Sequence, residues 1–153
     1  ISNPGHDFNY KRFSKKQIKS IKKLSRFLIK KYKIDQKNIL GHSDIAPNRK
    51  KDPGEKFPWK YLAKFRIGNW NSLTVKTLVK NRRKKISPKD KKLFFGYLSK
   101  IGYSIKNPPK INKDEFSIFL ISAFQRRFRQ ELINGKIDQE CLLISENLAK
   151  KLN

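Results

Sequence analysis

The chain has 153 residues, 37% of them hydrophobic, which gives room for one ordinary domain or two small ones. Apolar residues recur along nearly the whole length and exclude a disordered basic tail, while no apolar run approaches the roughly 20 residues needed to span a bilayer. The net charge of +26, from 38 Lys and Arg against 12 Asp and Glu, points towards polyanionic partners in general.

That excess is mostly lysine, spread along the chain and mixed with many Ile and Asn. Lysine is a weaker reader of bases and phosphates than forked arginine. Coding bias with general surface attraction therefore accounts for the charge better than specific nucleic-acid recognition, and no specific nucleic-acid partner is expected. The single Cys141 excludes an internal disulfide framework. No signal peptide is visible at Ile1 and no Met occurs anywhere, so the sequence reads as a fragment or processed product of a longer chain.

Taken in chain order, Ile1 to about Gly5 is expected to end a strand and enter a Pro-Gly turn. Ser14 then opens a helix, with Gln17 in capping-box position. Ile18, Ile21, Leu24, Phe27, Leu28 and Tyr32 follow at helical spacing as one apolar stripe, and cations fill the other face. Asn38-Ile39-Leu40 reads as a short buried strand that delivers Gly41 and His42 to its end. From residue 43 to 58 periodicity vanishes, and Pro47, Pro53, Gly54 and Pro58 punctuate a long loop of the kind that carries function. A helix from about Trp59 to Phe65 closes this region.

Residues 71–87 read as a linker, with one short helix at Leu73–Val79 and a basic run at Asn81–Lys85. Three helices follow, at about Pro88–Ile101, Lys113–Arg129 and 138–151, enough for a small bundle. The expected architecture is thus an α/β unit over 1–70, a linker, and an all-α unit over 88–153.

His42 and Asp52 flank the loop, ten residues apart, with Lys50 just before the aspartate. Imidazole nitrogen and carboxylate oxygen suit zinc, and a catalytic zinc keeps three protein ligands and one open position. Lys50 would place positive charge where an oxyanion develops during attack on an amide. On spacing alone this pattern is weak: a lone His beside a strand is more often structural, and Asp before Pro-Gly more often forms a turn.

The run Gly41-His42-Ser43-Asp44-Ile45-Ala46-Pro47-Asn48-Arg49-Lys50-Lys51-Asp52-Pro53-Gly54, followed by Phe57-Pro58-Trp59, resembles the zinc-dependent N-acetylmuramoyl-L-alanine amidases of the AmpD/AmiD type. The likeness extends over about residues 1–70. It implies a mixed sheet flanked by helices, with His42 and Asp52 as two of three Zn2+ ligands and Lys50 stabilising the tetrahedral intermediate. It also implies hydrolysis of the amide joining the lactyl group of N-acetylmuramic acid to L-alanine. Zinc would lower the pKa of the attacking water and polarise the carbonyl. Asn3, His6 and Arg49 are candidate substrate contacts. The family pattern places its first histidine ligand and a catalytic glutamate upstream of Ile1, and His6 does not match that first position. Either a fragment of an enzyme or a degenerate paralogue would look this way.

The second unit resembles the three-helix peptidoglycan-binding domain often appended to these amidases, through Phe94, Leu98, Ile101-Gly102-Tyr103, Ala123–Arg129 and Gly135–Asp138. Phe124 and Phe128 are read as core and Asp138 as the N-cap of the last helix. Arg126, Arg127 and Arg129 face either an anionic wall polymer or solvent. The resemblance implies peptidoglycan or its muropeptides as partners, a monomer, and the cell envelope or periplasm, with the cytoplasm as alternative. A non-catalytic wall-binding protein and a basic nucleic-acid module are the competing readings.

Overall fold

The computed structural model describes residues 3, 11–106 and 108–152, and the chain divides into two compact units, Ile1–Trp70 and Asn71–Asn153. The expected strand and turn at residues 1–5 fall almost wholly outside the described residues, as does His6.

In the first unit, α1 spans Lys15–Tyr32. Ser14 Oγ accepts from the Gln17 N–H at 3.2 Å and Gln17 Oε1 accepts from the Ser14 N–H at 2.9 Å, so two N–H groups that a helix start leaves bare are satisfied reciprocally. Ile21 is buried, and Ile18 and Ile29 pack with it on a cluster of Phe13, Phe57, Trp59, Leu62 and Ile67. The apolar stripe expected along this helix is only partly covered. Leu24, Phe27 and Tyr32 are 58%, 59% and 61% exposed, because the stripe is wider than the small core beneath it.

A 3-10 turn at Gln36–Asn38 follows, its start fixed by Asp35, whose carboxylate accepts from the Lys37 N–H at 3.0 Å. That bond, reinforced by the charges of Lys37 and Arg66, holds the Asp35 carboxyl below the usual range. Next come α2 (His42–Ile45) and α3 (Trp59–Ala63).

The α/β expectation is corrected here. Among the described residues every regular element is helical: seven α-helices, one 3-10 turn and no strand. Ile39 and Leu40 are irregular rather than a strand. A strand exists only as part of a hydrogen-bonded ladder, whereas the Asn38 and Ile39 N–H groups bond back to Asp35 and Gln36 at 2.9 and 3.4 Å. Apolar character alone made this segment look like a strand.

The second unit holds α4 (Val75–Asn81), α5 (Pro88–Lys100), α6 (Lys113–Phe128) and α7 (Gln139–Lys150). Thr74, Ser87, Asn112 and Asp138 each cap a helix with a side-chain oxygen. Phe94, Leu98, Leu120, Phe124 and Ile144 are buried at the centre, and the Phe94 and Phe124 rings meet edge to face at 5.2 Å. Phe128 is also core, its ring 5.3 Å from that of Phe124. Residues 71–82, expected to form a linker, hold to α7. Ser72 N–H and Oγ bond to Asn147 Oδ1, and Arg82 forks onto Glu140 at 2.7 and 2.8 Å.

Of the three arginines expected on a polymer-facing or solvated surface, Arg126 is half-buried and the other two lie inside. Arg129 is 1% and Arg127 3% exposed. Arg129 pairs with Asp138 through Nη1 and donates from Nη2 to Asn134 Oδ1 at 3.0 Å. A buried guanidinium survives only when charge and hydrogen bonds compensate its lost hydration, and Asp138 supplies both. Gln125, fully buried, accepts from the Asn134 and Gly135 N–H groups at 2.8 and 2.9 Å and donates to the Lys136 carbonyl at 2.8 Å. It thereby folds the turn between α6 and α7. Gly135 sits at φ 65°, with a Cβ placed there only 2.8 Å from Ile118 Cγ2, so no larger residue fits without a shift.

Candidate metal centre

The stretch from Gly41 to Trp59 rests on the aromatic floor of the first unit. Phe57 meets Trp59 at 4.7 Å and Phe13 at 5.3 Å, both edge to face. Gly41 is where the loop closes on that floor. A Cβ there would stand 2.7 Å from Pro53 Cδ and 3.4 Å from Trp59 Cζ2, so glycine permits the approach of the Asp52-Pro53 turn.

Two further bonds lock the arrangement. The buried Asp44 carboxylate accepts from the Gly41 N–H at 2.8 Å, and the Ser43 N–H donates to the Asp52 carbonyl at 3.0 Å. The Asp52–Pro53 peptide is cis, and Gly54 takes φ 78° as its N–H reaches the Lys51 carbonyl at 3.0 Å. Residues 42 and 52, far apart along an otherwise irregular loop, are thereby brought side by side.

His42 Nδ1 stands 2.6 Å from Asp52 Oδ2. The His42 side chain is 72% exposed and that of Asp52 29%, so the pair is rooted in a buried frame while its donor atoms stay open to a ligand. Imidazole nitrogen and carboxylate oxygen are the donor types zinc takes, and a zinc ion binding both at about 2.0–2.2 Å sets such atoms a little over 3 Å apart. The donor set therefore fits two positions of a zinc site. Among the described residues no group of three or more His, Cys, Asp or Glu side chains gathers to complete one.

The other expected site residues occupy less constrained ground. Lys50 and Arg49 have exposed side chains, while their N–H groups donate to the Ala46 carbonyl at 2.9 and 3.0 Å. Their backbone is thus fixed by the same turn that follows α2. Asn3 clamps the Lys11 backbone, donating to its carbonyl at 2.8 Å and accepting from its N–H at 3.2 Å. Sequence reasoning did not single out Asp44, whose buried carboxylate secures Gly41. Its signal was a carboxylate three residues beyond that glycine, the spacing of a helix-start cap.

Residues 1–55 match the N-acetylmuramoyl-L-alanine amidase family. Among individual proteins, AmiD of Escherichia coli (strain K12) is 35% identical over 139 residues, covering 91% of this chain and 49% of AmiD. AmpD of the same strain, a 1,6-anhydro-N-acetylmuramyl-L-alanine amidase, is 45% identical over 51 residues, 33% of this chain and 26% of AmpD. Among solved structures, E. coli AmiD in complex with anhydro-N-acetylmuramic acid-L-Ala-D-gamma-Glu-L-Lys superposes with a TM-score of 0.78 at 34% identity, covering 94% of this chain and 55% of that one. AmpDh3 of Pseudomonas aeruginosa gives 0.75 at 32% identity, covering 94% and 56%. The chain spans about half the length of AmiD and AmpDh3. With its motif and its fold in agreement, the chain is AmiD/AmpD-like and carries the N-acetylmuramoyl-L-alanine amidase family's pattern over residues 1–55.

Proposed function

We propose that this chain is part of a zinc-dependent amidase that hydrolyses the amide between N-acetylmuramic acid and L-alanine in peptidoglycan or its muropeptides. The observation that carries this reading is the meeting of His42 Nδ1 and Asp52 Oδ2 at 2.6 Å. Support comes from the similar AmiD structure, which holds an anhydro-N-acetylmuramic acid peptide.

His42 and Asp52 would hold the metal, and zinc, when bound, supplies Lewis acidity and lowers the pKa of water. Activity then requires the first histidine ligand and the glutamate that the family pattern places upstream of this sequence. Lys50 aims its charge at the carbonyl oxygen as that oxygen becomes negative. Such a charge accelerates the step because it interacts more strongly with the transition state than with the neutral amide. Arg49, with Asn3 and His6 upstream, contacts substrate. Residues 88–153 serve as a peptidoglycan-binding module, and the whole acts as a monomer in the cell envelope. No helix among the described residues is long and apolar enough to cross a membrane.

The test is release of the L-alanine-linked peptide from an anhydromuropeptide by the complete gene product loaded with zinc. Lys50→Ala should lower kcat by about 10²–10³-fold with far less change in KM. An unchanged kcat removes Lys50 from the chemistry, and no release by the wild type overturns the reading.

A further inference from the structure

A groove of about 860 Å³ runs along α1 on the first unit, bounded by the helix from Lys23 onward, the 34–36 segment and Phe65-Arg66. Five cations line it, Lys23, Arg26, Lys30, Lys33 and Arg66, against one carboxylate, Asp35. The four on α1 and its cap are spaced three, four and three residues apart, which sets them in a row with steps of roughly 4.5 to 6 Å along the axis. The floor between them is apolar, with Phe27, Ile29, Ile34 and Phe65.

Two features make this a shaped surface rather than a scatter of solvated lysines. Lys33 and Arg66 both hold left-handed backbone, at φ 51° and 60°, a conformation that side chains other than glycine seldom adopt. They turn the chain at either wall of the groove. Gln36 also donates to the Gly68 carbonyl at 2.8 Å, tying the 34–36 wall to the segment after α3. Five like charges facing one concavity repel one another, and an anion laid between them relieves that repulsion.

We propose that this groove binds a linear phosphodiester polymer of the cell wall, its phosphates following the α1 cations and its polyol or sugar units lying on the apolar floor. The concave shape disfavours a flat lipid surface, and the regular row of charges suits a polymer with evenly spaced phosphates. The choice of a wall polymer over a nucleic acid rests on the wall-acting function proposed above. Binding is measured without turnover, so its failure is distinguishable from a failure of amide hydrolysis.

The experiment titrates this chain with fluorescently labelled poly(glycerol phosphate), and with a single-stranded oligonucleotide of equal phosphate number, over a series of salt concentrations. The triple variant Lys23→Gln/Arg26→Gln/Lys30→Gln is compared with Lys89→Gln/Lys91→Gln/Lys92→Gln, which removes the same charge from exposed positions of α5. Circular dichroism establishes that both variants fold. The groove variant should weaken poly(glycerol phosphate) binding about tenfold or more and lower the log-log salt slope by about two to three, while the α5 variant weakens it less than about threefold. Equal weakening in both variants, tighter binding of the oligonucleotide, or no binding of the glycerol polymer would each overturn the proposal.

Discussion

The two units treat charge in opposite ways. In the first, cations crowd the outside of α1, and among the described residues the only buried charged side chain is Asp44, spent on holding Gly41. In the second, Arg129, Asp138 and Glu140 lie inside, joined by Arg82 and Gln125 into a network around the start of α7. The first unit keeps its polar groups available for ligands, while the second uses its polar groups to specify one packing. A buried ionic network is costly to break even where it adds little net stability, because each partner left behind is a desolvated charge. An exposed pair such as His42 and Asp52 carries no such penalty, and so its partners are free to exchange one contact for a metal.

The sharpest way to break this contrast is Asp138→Ala. That change removes the cap on Cys141 N–H, the partner of Arg129 and the acceptor of the Arg83 N–H together. It should cost about 3–5 kcal/mol, read as a lowered urea midpoint of the helical circular dichroism signal. A cost under about 1 kcal/mol would mean that the network is not what orders the second unit.

In the first unit the corresponding change is Gly41→Ala. A methyl 2.7 Å from Pro53 Cδ must push the Asp52-Pro53 turn away from α2, at about 1–3 kcal/mol. Both tryptophans, Trp59 and Trp70, lie in this unit and give a local fluorescence readout. An unshifted midpoint, with the His42 and Asp52 contact intact by NMR, would show that the loop tolerates the methyl.

The smallest effect concerns Cys141. Burial pushes its thiol up to about 12. A raised folded pKa contributes stability that is complete below the unfolded value, near 9, and is lost as pH rises from there towards 12. Thiol reagents at neutral pH should therefore label Cys141 only after unfolding, and stability should begin to fall above about pH 9. Rapid labelling of the folded chain at pH 7 would contradict the burial.

Much of the helical structure was legible because helix ends are written locally. Ser14 with Gln17, and Asp138, each announce a cap, and the observed helices begin there. The strand expected at Asn38–Leu40 failed because pairing is a long-range property that three residues do not encode. The stripe on α1 was real as a pattern, yet Leu24 and Phe27 stand exposed, since a pattern shows which face is apolar and not what meets it. Arg129 was misplaced for the reverse reason: arginine is seldom fully buried unless paired, and its pairing with Asp138 arises only in three dimensions. The pair at 42 and 52 was weak on spacing alone and stood out through the family resemblance of the run around it, and what sequence could not supply was the frame of Gly41, Ser43 and Asp44 that sets the two side by side.

The most direct measurement is the zinc content of the complete gene product, purified without added chelator, beside His42→Ala and Asp52→Ala variants. About one zinc per molecule in the wild type, with most of it lost in each variant, is the result expected of two side chains that both ligate the ion. Full zinc retained by either variant, or none bound by the wild type, would contradict the assignment of His42 and Asp52.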